Sequence, residues 1–319
     1  MRTWILRCAV LLVFALLMWQ FGPKAWVVLS ARLGGAASIT VDLDRVGLRP
    51  EGRGGSTARV PAWLRDNPAL FRAVLEEISP CLKTRVRLDD EVALTRVAGI
   101  LNGMSWVSDV RVRPADGGGF RLSLELRRPV LEVVPDSAAV GRVPPVYVTA
   151  EGICLRHGEY DLDSGLPRCR MISGSTPGSL PLYILGKRHP DSRVIAAAAV
   201  AREWRDEMIP LVPGAPRLVG VDASNLHYRL LADRRTSQVR VALRRSDGGV
   251  ARFDYGLPPG QPITRVAVAD KAAVLTKVLD RHPGLAGVSQ ADLRFVNMWE
   301  NWVRTAAAPS QRAQGGFGR

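Results

Sequence analysis

The residues in this chain best suited to chemistry are its histidines, cysteines and acidic clusters, and their spacing gathers none of them into a site. His157, His189, His227 and His282 are scattered, without a partner at metal-ligand spacing. Cys154 and Cys169 flank a loop and could bridge in an oxidising compartment, or stand as two separate small buried residues. Their spacing matches no zinc motif. Cys8 lies in an apolar segment with no lipobox before it, and Cys81 stands alone. Asp161–Leu162–Asp163–Ser164–Gly165 has a hint of a calcium loop, but the later oxygen ligands and the closing glutamate are missing, so it reads as a solvated turn. No Gly-x-Ser-x-Gly elbow, phosphate-binding loop or dinucleotide fingerprint occurs, and no base is spaced to activate a serine or cysteine. The sequence therefore names no catalytic residue, no metal ligand and no cofactor site. The expectation is a protein that is not an enzyme.

What remains is charge and pattern. Lysine and arginine number 44 against 30 acidic residues, a net charge of +14. The arginines sit singly on alternating positions with acids among them, and no basic run interleaved with aromatics offers a stacking platform. Nucleic acid is thus not the expected partner, whereas anionic lipid headgroups remain compatible with the charge. With 47% hydrophobic and 23% charged residues, the composition is that of a globular protein large enough for two modest domains.

The elements that must carry any binding surface are legible from periodicity. Residues 1–7 are short and basic, and an apolar segment follows within residues 8–29. Trp4, Trp19 and Trp26 lie near its edges, where interfacial aromatics sit. The expectation is a retained transmembrane helix over 8–29, with the N-terminus inside and the bulk of the chain outside the cytoplasm. Its uninterrupted core is shorter than the roughly 20 residues a spanning helix uses, which leaves a cleaved signal peptide as the alternative. Ile39, Val41 and Leu43 alternate as a first strand, and Leu70, Val74 and Ile78 mark one face of a helix over Asp66–Ile78 that Pro80 closes, with Arg72, Glu76 and Glu77 outward. Asp89–Asp90 opens a second helix with Leu94, Val97, Ala98 and Leu101 inward. Val110 and Val112 then alternate with Asp109, Arg111 and Arg113, and Phe120, Leu122, Leu124 and Leu126 with Arg121, Ser123, Glu125 and Arg127. Period two on both sides of Gly117–Gly118–Gly119 predicts a hairpin with one buried face. Strand, two helices and hairpin make a compact unit over 37–134.

A joint over Pro135–Pro145 leads to a β-rich second domain over 145–304. Strands are expected at Val146–Val148, Ile153–Leu155, Leu218–Asp222, Leu226–Leu231, Gln238–Leu243 and Val250–Tyr255, with a glycine- and proline-rich loop over Gly158–Ser179. Helices are expected at Val194–Met208 and Lys271–Arg281, and last strands at Ala291–Phe295 and Trp299–Arg304. Residues 305–319 read as a loose tail. The fold class is α+β: a transmembrane helix, a strand–helix–helix–hairpin domain, and a domain with an antiparallel or mixed sheet and flanking helices.

On that order the chain resembles the bacterial cell-division family FtsQ, called DivIB in Gram-positive bacteria. Trp106–Val107–Ser108–Asp109–Val110–Arg111–Val112 is similar to the signature of the family's POTRA module, with Ser105 where proline is usual. Arg127–Arg128–Pro129–Val130 resembles the element that ends the POTRA hairpin. Ala291–Asp292–Leu293–Arg294–Phe295 resembles a strand near the family's C-terminus, and Leu180–Pro181–Leu182 through Gly186 its Leu-Pro-x-x-x-Gly segment. The seven residues before the apolar segment are fewer than the family's usual cytoplasmic tail, and Thr149 stands where an aspartate would precede the glycine turn.

The resemblance implies a non-catalytic, single-pass protein of the inner (cytoplasmic) membrane that takes part in septum formation. A POTRA-like domain would lie nearest the bilayer, and a β domain would bind small bitopic division proteins of the FtsB/FtsL kind through its last strand. It points to Phe295, Trp299 and Trp302, with Arg294, as partner-binding candidates, and to Trp106, Arg127, Arg128 and Pro129 as the POTRA motif. Adjacent strand residues face opposite sides, so at most one of Arg127 and Arg128 shares a face with Arg111 or Arg113. The alternatives from other classes are a secreted or periplasmic binding protein freed by cleavage, and an envelope hydrolase, which would need a polar pocket with perturbed ionisable groups.

Overall fold

The computed structural model describes residues 61–82, 91–114, 120–135, 144–158, 163–171, 183–228, 236–261 and 265–305. The apolar segment over 8–29, the first strand and the C-terminal tail fall outside these residues, and no described helix is long and apolar enough to cross a membrane. The chain divides into two units, one reaching to Arg127 and including Gly158–Leu162, the other made of Arg128–His157 and Asp163 onward.

In the first unit a short helix, α1 (Ala62–Arg65), leads into α2 (Pro68–Leu82). Asn67 caps α2 by accepting from the Leu70 amide at 3.2 Å. Leu70, Val74 and Ile78 are buried, as their spacing predicts. Pro80 does not stop this helix, which runs on to Leu82. Helix α3 (Glu91–Asn102) buries Val97 and Leu101, and the antiparallel hairpin β1 (Val107–Pro114) and β2 (Phe120–Leu126) follows. A bulge between Val107 and Asp109 resets the alternation, so that Val107 opposite Leu126 and Val110 opposite Leu124 share a face despite odd spacing. Leu124 is 1% exposed on that face.

Among the described residues, the second unit is built on a mixed nine-stranded sheet. Its strands are β3 (Pro129–Pro135), β4 (Val146–Thr149), β5 (Cys154–Arg156), β6 (Arg168–Met171), β7 (Leu218–Asp222), β8 (Val239–Arg244), β9 (Val250–Gly256), β10 (Val288–Asp292) and β11 (Arg304–Thr305). They lie in the order β11-β10-β9-β8-β7-β6-β3-β4-β5. Pro129 has no N–H to extend the first hairpin, and it opens a strand of the second sheet instead. The joint read at Pro135–Pro145 therefore lies inside this unit, between the antiparallel neighbours β3 and β4. Gly152, at φ +85°, makes the turn between β4 and β5. Helical crossovers supply two of the three parallel pairs, α4 (Ser192–Glu203) joining β6 to β7 and α5 (Val268–Arg281) joining β9 to β10, and the third is β3 with β6. A π turn, Trp204–Met208, prolongs α4 and places Trp204 and Met208 in the core.

Small residues let α4 approach the sheet closely, and Val194, Ala197, Ala198, Val200 and Ala201 are all buried. They meet Leu131, Val133, Val148, Cys169 and Val221 in one apolar cluster. Strand β6 was not legible, because Arg168–Cys169–Arg170–Met171 sits within a segment of loop composition. The strand expected at Leu226–Leu231 is instead, over Leu226–Tyr228, a 3₁₀ turn with positive φ at His227 and Tyr228. Asp222 accepts from the Ser224 amide and turns the chain before a strand can start.

Cys154 and Cys169 are buried and free. Strands β3 and β4 stand between their own strands, a separation of roughly 14 Å at the usual strand spacing, twice the reach of a disulfide. Burial pushes the two thiols up to about 11 and about 12. Replacing Leu124 with Asp places an unpaired charge in the first unit's core. The expected cost is on the order of 3 kcal/mol or more, read as loss of the first transition in a melting curve while the second unit stays folded.

Candidate partner-binding margin

The last strand pairing of the sheet is short. Strand β10 pairs in parallel with β9 and, on its other side, antiparallel with β11, where Gln290 lies opposite Arg304 and Val288 opposite Thr305. Among the described residues β11 is the outermost strand at this end of the sheet. The sequence placed strands over Ala291–Phe295 and Trp299–Arg304, and both expectations need correction. Strand β10 ends at Asp292 because the Asp292 carboxylate accepts from the Arg294 amide at 2.9 Å and from the Arg294 guanidinium at 2.9 and 2.6 Å, which bends the backbone away. Trp299–Trp302 is a 3₁₀ turn, closed by the Asn301 amide donating to the Met298 carbonyl at 3.1 Å. Extended structure resumes only at Arg304.

This turn sorts the aromatic candidates. Trp299 faces the core of the second unit, with the Arg281 guanidinium over its ring at 5.9 Å. Arg281 is in turn paired with Glu300 at 2.8 Å. Trp302 is 43% exposed and stacks on Phe295 with ring centres 4.7 Å apart and planes at 14°. Met298, also exposed, lies in the same connection. The structure thus brings Phe295 and Trp302 together at the margin and turns Trp299 inward. Arg294, folded onto Asp292 with its guanidinium 5.4 Å from the Phe295 ring, supports Phe295 from behind.

Of the four motif residues, Trp106 and Arg127 lie in the first unit, and Arg128 and Pro129 in the second. Trp106 is fully buried. Arg127 is a clamp: its Nη1 donates to the carbonyl of Ser105 at 2.8 Å and also to that of Val107, while its own amide donates to the Trp106 carbonyl at 2.8 Å. Opposite it, Glu77 receives the Ser105 amide at 3.0 Å, the Ser105 hydroxyl at 2.8 Å and the Trp106 amide at 3.0 Å. Glu77 therefore does not point outward as its helical position suggested; it is half-buried and ties α2 to the entry of the hairpin. Arg128 is exposed, and Pro129 is buried at the start of β3.

Two buried polar groups of the second unit escaped the sequence reading. Glu132, alone in an apolar run, accepts from the Ser164 hydroxyl at 2.9 Å and from Arg168 at 3.3 Å, and lies 3.5 Å from His157. Burial raises its pKa, but His157, Ser164 and Arg168 outweigh that and hold it below the usual carboxylate value. The carboxylate stands in the middle, with the Ser164 hydroxyl donating to Glu132 and His157 beside it, which is not the serine–histidine–carboxylate order of a triad. The second group is Glu203, met by the Tyr255 hydroxyl, by Arg265 at 2.5 Å and by Lys271 at 3.7 Å. Asp163, from the segment with a calcium-loop hint, accepts from the Gly165 amide at 3.0 Å and pairs with Arg217 at 3.5 Å. Among the described residues, no group of three or more histidine, cysteine or acidic side chains is placed to hold a metal ion.

Compared with known proteins, the chain matches no family model and no curated protein.

Removing the Glu77 carboxylate leaves two backbone amides without their acceptor, so Glu77→Ala should destabilise the first unit by about 2–3 kcal/mol, seen in chemical denaturation. Glu132 gives a pH test. A carboxylate whose folded pKa is depressed contributes stability above its unfolded pKa and loses it as pH falls through the folded one. The second unit's melting temperature should therefore fall as pH drops below about 4.3, and Glu132→Gln should flatten that fall. An unchanged slope in the variant would remove Glu132 from the account.

Proposed function

We propose that this chain is a non-catalytic, single-pass envelope scaffold of the bacterial cell-division machinery, of the FtsQ/DivIB kind. In this reading the apolar segment over 8–29 is retained in the inner membrane, the first unit is a POTRA-like domain, and the second captures FtsB/FtsL-like bitopic partners. The observation that carries the reading is the margin itself. Among the described residues, a nine-stranded sheet ends in the two residues of β11, beside a Phe295–Trp302 stack whose Trp302 is exposed. An incoming strand would satisfy backbone donors and acceptors along that edge, and the stacked rings would bury a large area at little entropy cost. Anchoring both partners in one bilayer raises their local concentration, so a short pairing suffices.

The order of elements supports the same reading. Helices α1 to α3 and a hairpin precede a mixed sheet, and stretches that carry the resemblance fall where elements meet. Arg127 clamps the hairpin entry, Pro129 starts the second sheet, and Asp292–Arg294 ends β10.

The test is capture of the bitopic partners by the full-length chain in mild detergent. Trp302→Ala should weaken capture roughly ten-fold or more, and proline at Arg304 and Thr305 together should abolish it with the melting of both units unchanged. Full capture by the double-proline variant would refute strand addition at β11. Mass spectrometry of the purified chain should find its N-terminal segment intact; loss of the apolar segment would favour the cleaved, periplasmic binding protein instead.

A further inference from the structure

At the end of the sheet away from β11, the outermost strand among the described residues is β5, and its outer edge is occupied. The Cys154 amide donates to the Lys187 carbonyl at 2.9 Å, and the Cys154 carbonyl accepts from the Gly186 amide at 2.8 Å. One step along, Ile153 bridges Arg188, and the His189 amide donates to the Gly152 carbonyl at 2.8 Å. The chain that seals this edge reaches it through a tight turn, Ile184–Leu185–Gly186–Lys187, closed by the Lys187 amide donating to the Ile184 carbonyl at 3.1 Å. Gly186 sits at φ +76°, as the third residue of a type II turn requires. The Tyr183 hydroxyl donates to the Pro144 carbonyl at 3.0 Å and ties the turn down from its other side. The turn is therefore held in place at both ends.

Its tip is apolar. Ile184 is 67% exposed and Leu185 41%, in positions where turns ordinarily carry proline or small polar residues. Neither side chain supports the fold there. Directly behind them Lys187 and Arg188 are exposed, and neither forms an ion pair with another described residue. Residues 171–186 hold no charged side chain that could offset them. Asp191 is committed to Arg193 at 2.5 Å, with both side chains mostly buried. Glu151 is exposed in the β4–β5 turn beside Gly152, over which the Arg188 side chain passes. Setting Glu151 wholly against Arg188 still leaves Lys187 unbalanced.

We propose that this turn dips into an anionic lipid surface, with Ile184 and Leu185 entering the apolar side of the headgroup layer and Lys187 and Arg188 meeting the lipid phosphates. Two aliphatic side chains at a protruding tip cannot cover the roughly 800 Å² that each partner of a specific protein interface buries. The sealed edge beside them has no room for an added strand. A bilayer needs neither a large area nor a matching shape, because it yields around what enters it. Cations just behind an apolar tip suit it, since their long stems let the charged heads stay at the headgroup level. The contact belongs to the second unit itself and does not rest on the scaffold reading.

The test places an environment-sensitive NBD dye at the tip of the full-length chain, as Leu185→Cys with Cys8→Ser and Cys81→Ser; Cys154 and Cys169 are buried and stay unlabelled. The chain is mixed with vesicles of phosphatidylcholine, alone or with about 30% phosphatidylglycerol, that carry a spin-labelled acyl chain to quench the dye on contact. Quenching should appear with the anionic vesicles and be absent for the same dye at Lys277→Cys, an exposed position on α5. Lys187→Gln with Arg188→Gln should lower the ratio of quenched to unquenched dye roughly twenty-five-fold, about five-fold for each cation. Ile184→Ser should lower it with both cations in place. All of these positions are exposed, so the melting of both units should not change. Every comparison is made between labelled positions or lipid mixtures, so it reads the same whether the N-terminal segment is retained or cleaved. Equal quenching by neutral and anionic vesicles, equal quenching at Lys277→Cys, or quenching indifferent to the loss of both cations would overturn the proposal. So would a blue shift in detergent alone that grows with protein concentration, which would place the tip against a second copy of the chain.

Discussion

The second unit depends on the buried carboxylate of Glu203. It sits at the end of α4 and draws to itself a hydroxyl from β9, a guanidinium from the approach to α5, and an ammonium from α5 itself. Both crossover helices are thereby fixed to the same strand of the sheet. Such a hub is costly to assemble, because burial disfavours every charge in it. Burial pushes the Lys271 ammonium down to about 8, with Glu203 pulling the other way. Its value lies in exclusivity. An apolar stripe can slide along a sheet, whereas one carboxylate among three donors accepts few alternative alignments.

With the helices fixed on one face, the sheet is free to differ between its two ends. Near β3 and β4 both faces are covered, so that even Glu132 is buried and must find partners in Ser164, His157 and Arg168. At the other end β11 spans two of the described residues, and the neighbouring segment displays Trp302 and Met298. The first unit is held on a smaller scale by opposed charges. Glu77 gathers amides and Arg127 gathers carbonyls around the same few residues, Ser105 to Val107. Together they satisfy the backbone of a connection that has no regular structure of its own.

Much of this was legible because burial imposes a period. The inward residues of α2, Leu124 against Glu125 in β2, the alanines of α4 and the stripe of α5 follow from which positions must leave water. What escaped notice obeys other rules. The β1 bulge shifts the face of a strand by one position without changing any residue type. Strand β6 is too short for its composition to outweigh the loop around it. The break after β10 and the turn at Trp299–Trp302 arise from one aspartate folding back on an arginine and from two rings stacking, contacts that periodicity does not report. The buried charges left a faint trace, since Glu132 interrupts an apolar run and Lys271 sits on the apolar stripe of α5 between Val268 and Leu275. The binding role of the margin was inferred from resemblance, and the structure redistributes its aromatic residues between core and surface.

The π turn after α4 has a consequence for how this protein could vary. A π turn spends one residue more than an α turn to cover the same rise. Deleting one residue from Arg205 to Glu207 would let the helix close as an ordinary α turn and would leave everything beyond it pointing nearly the same way. Met208 and Val212, both in the core, would keep their places. Deleting a residue from the regular helix before the π turn would instead rotate both toward water, so the tolerance to a change in chain length is confined to this one turn.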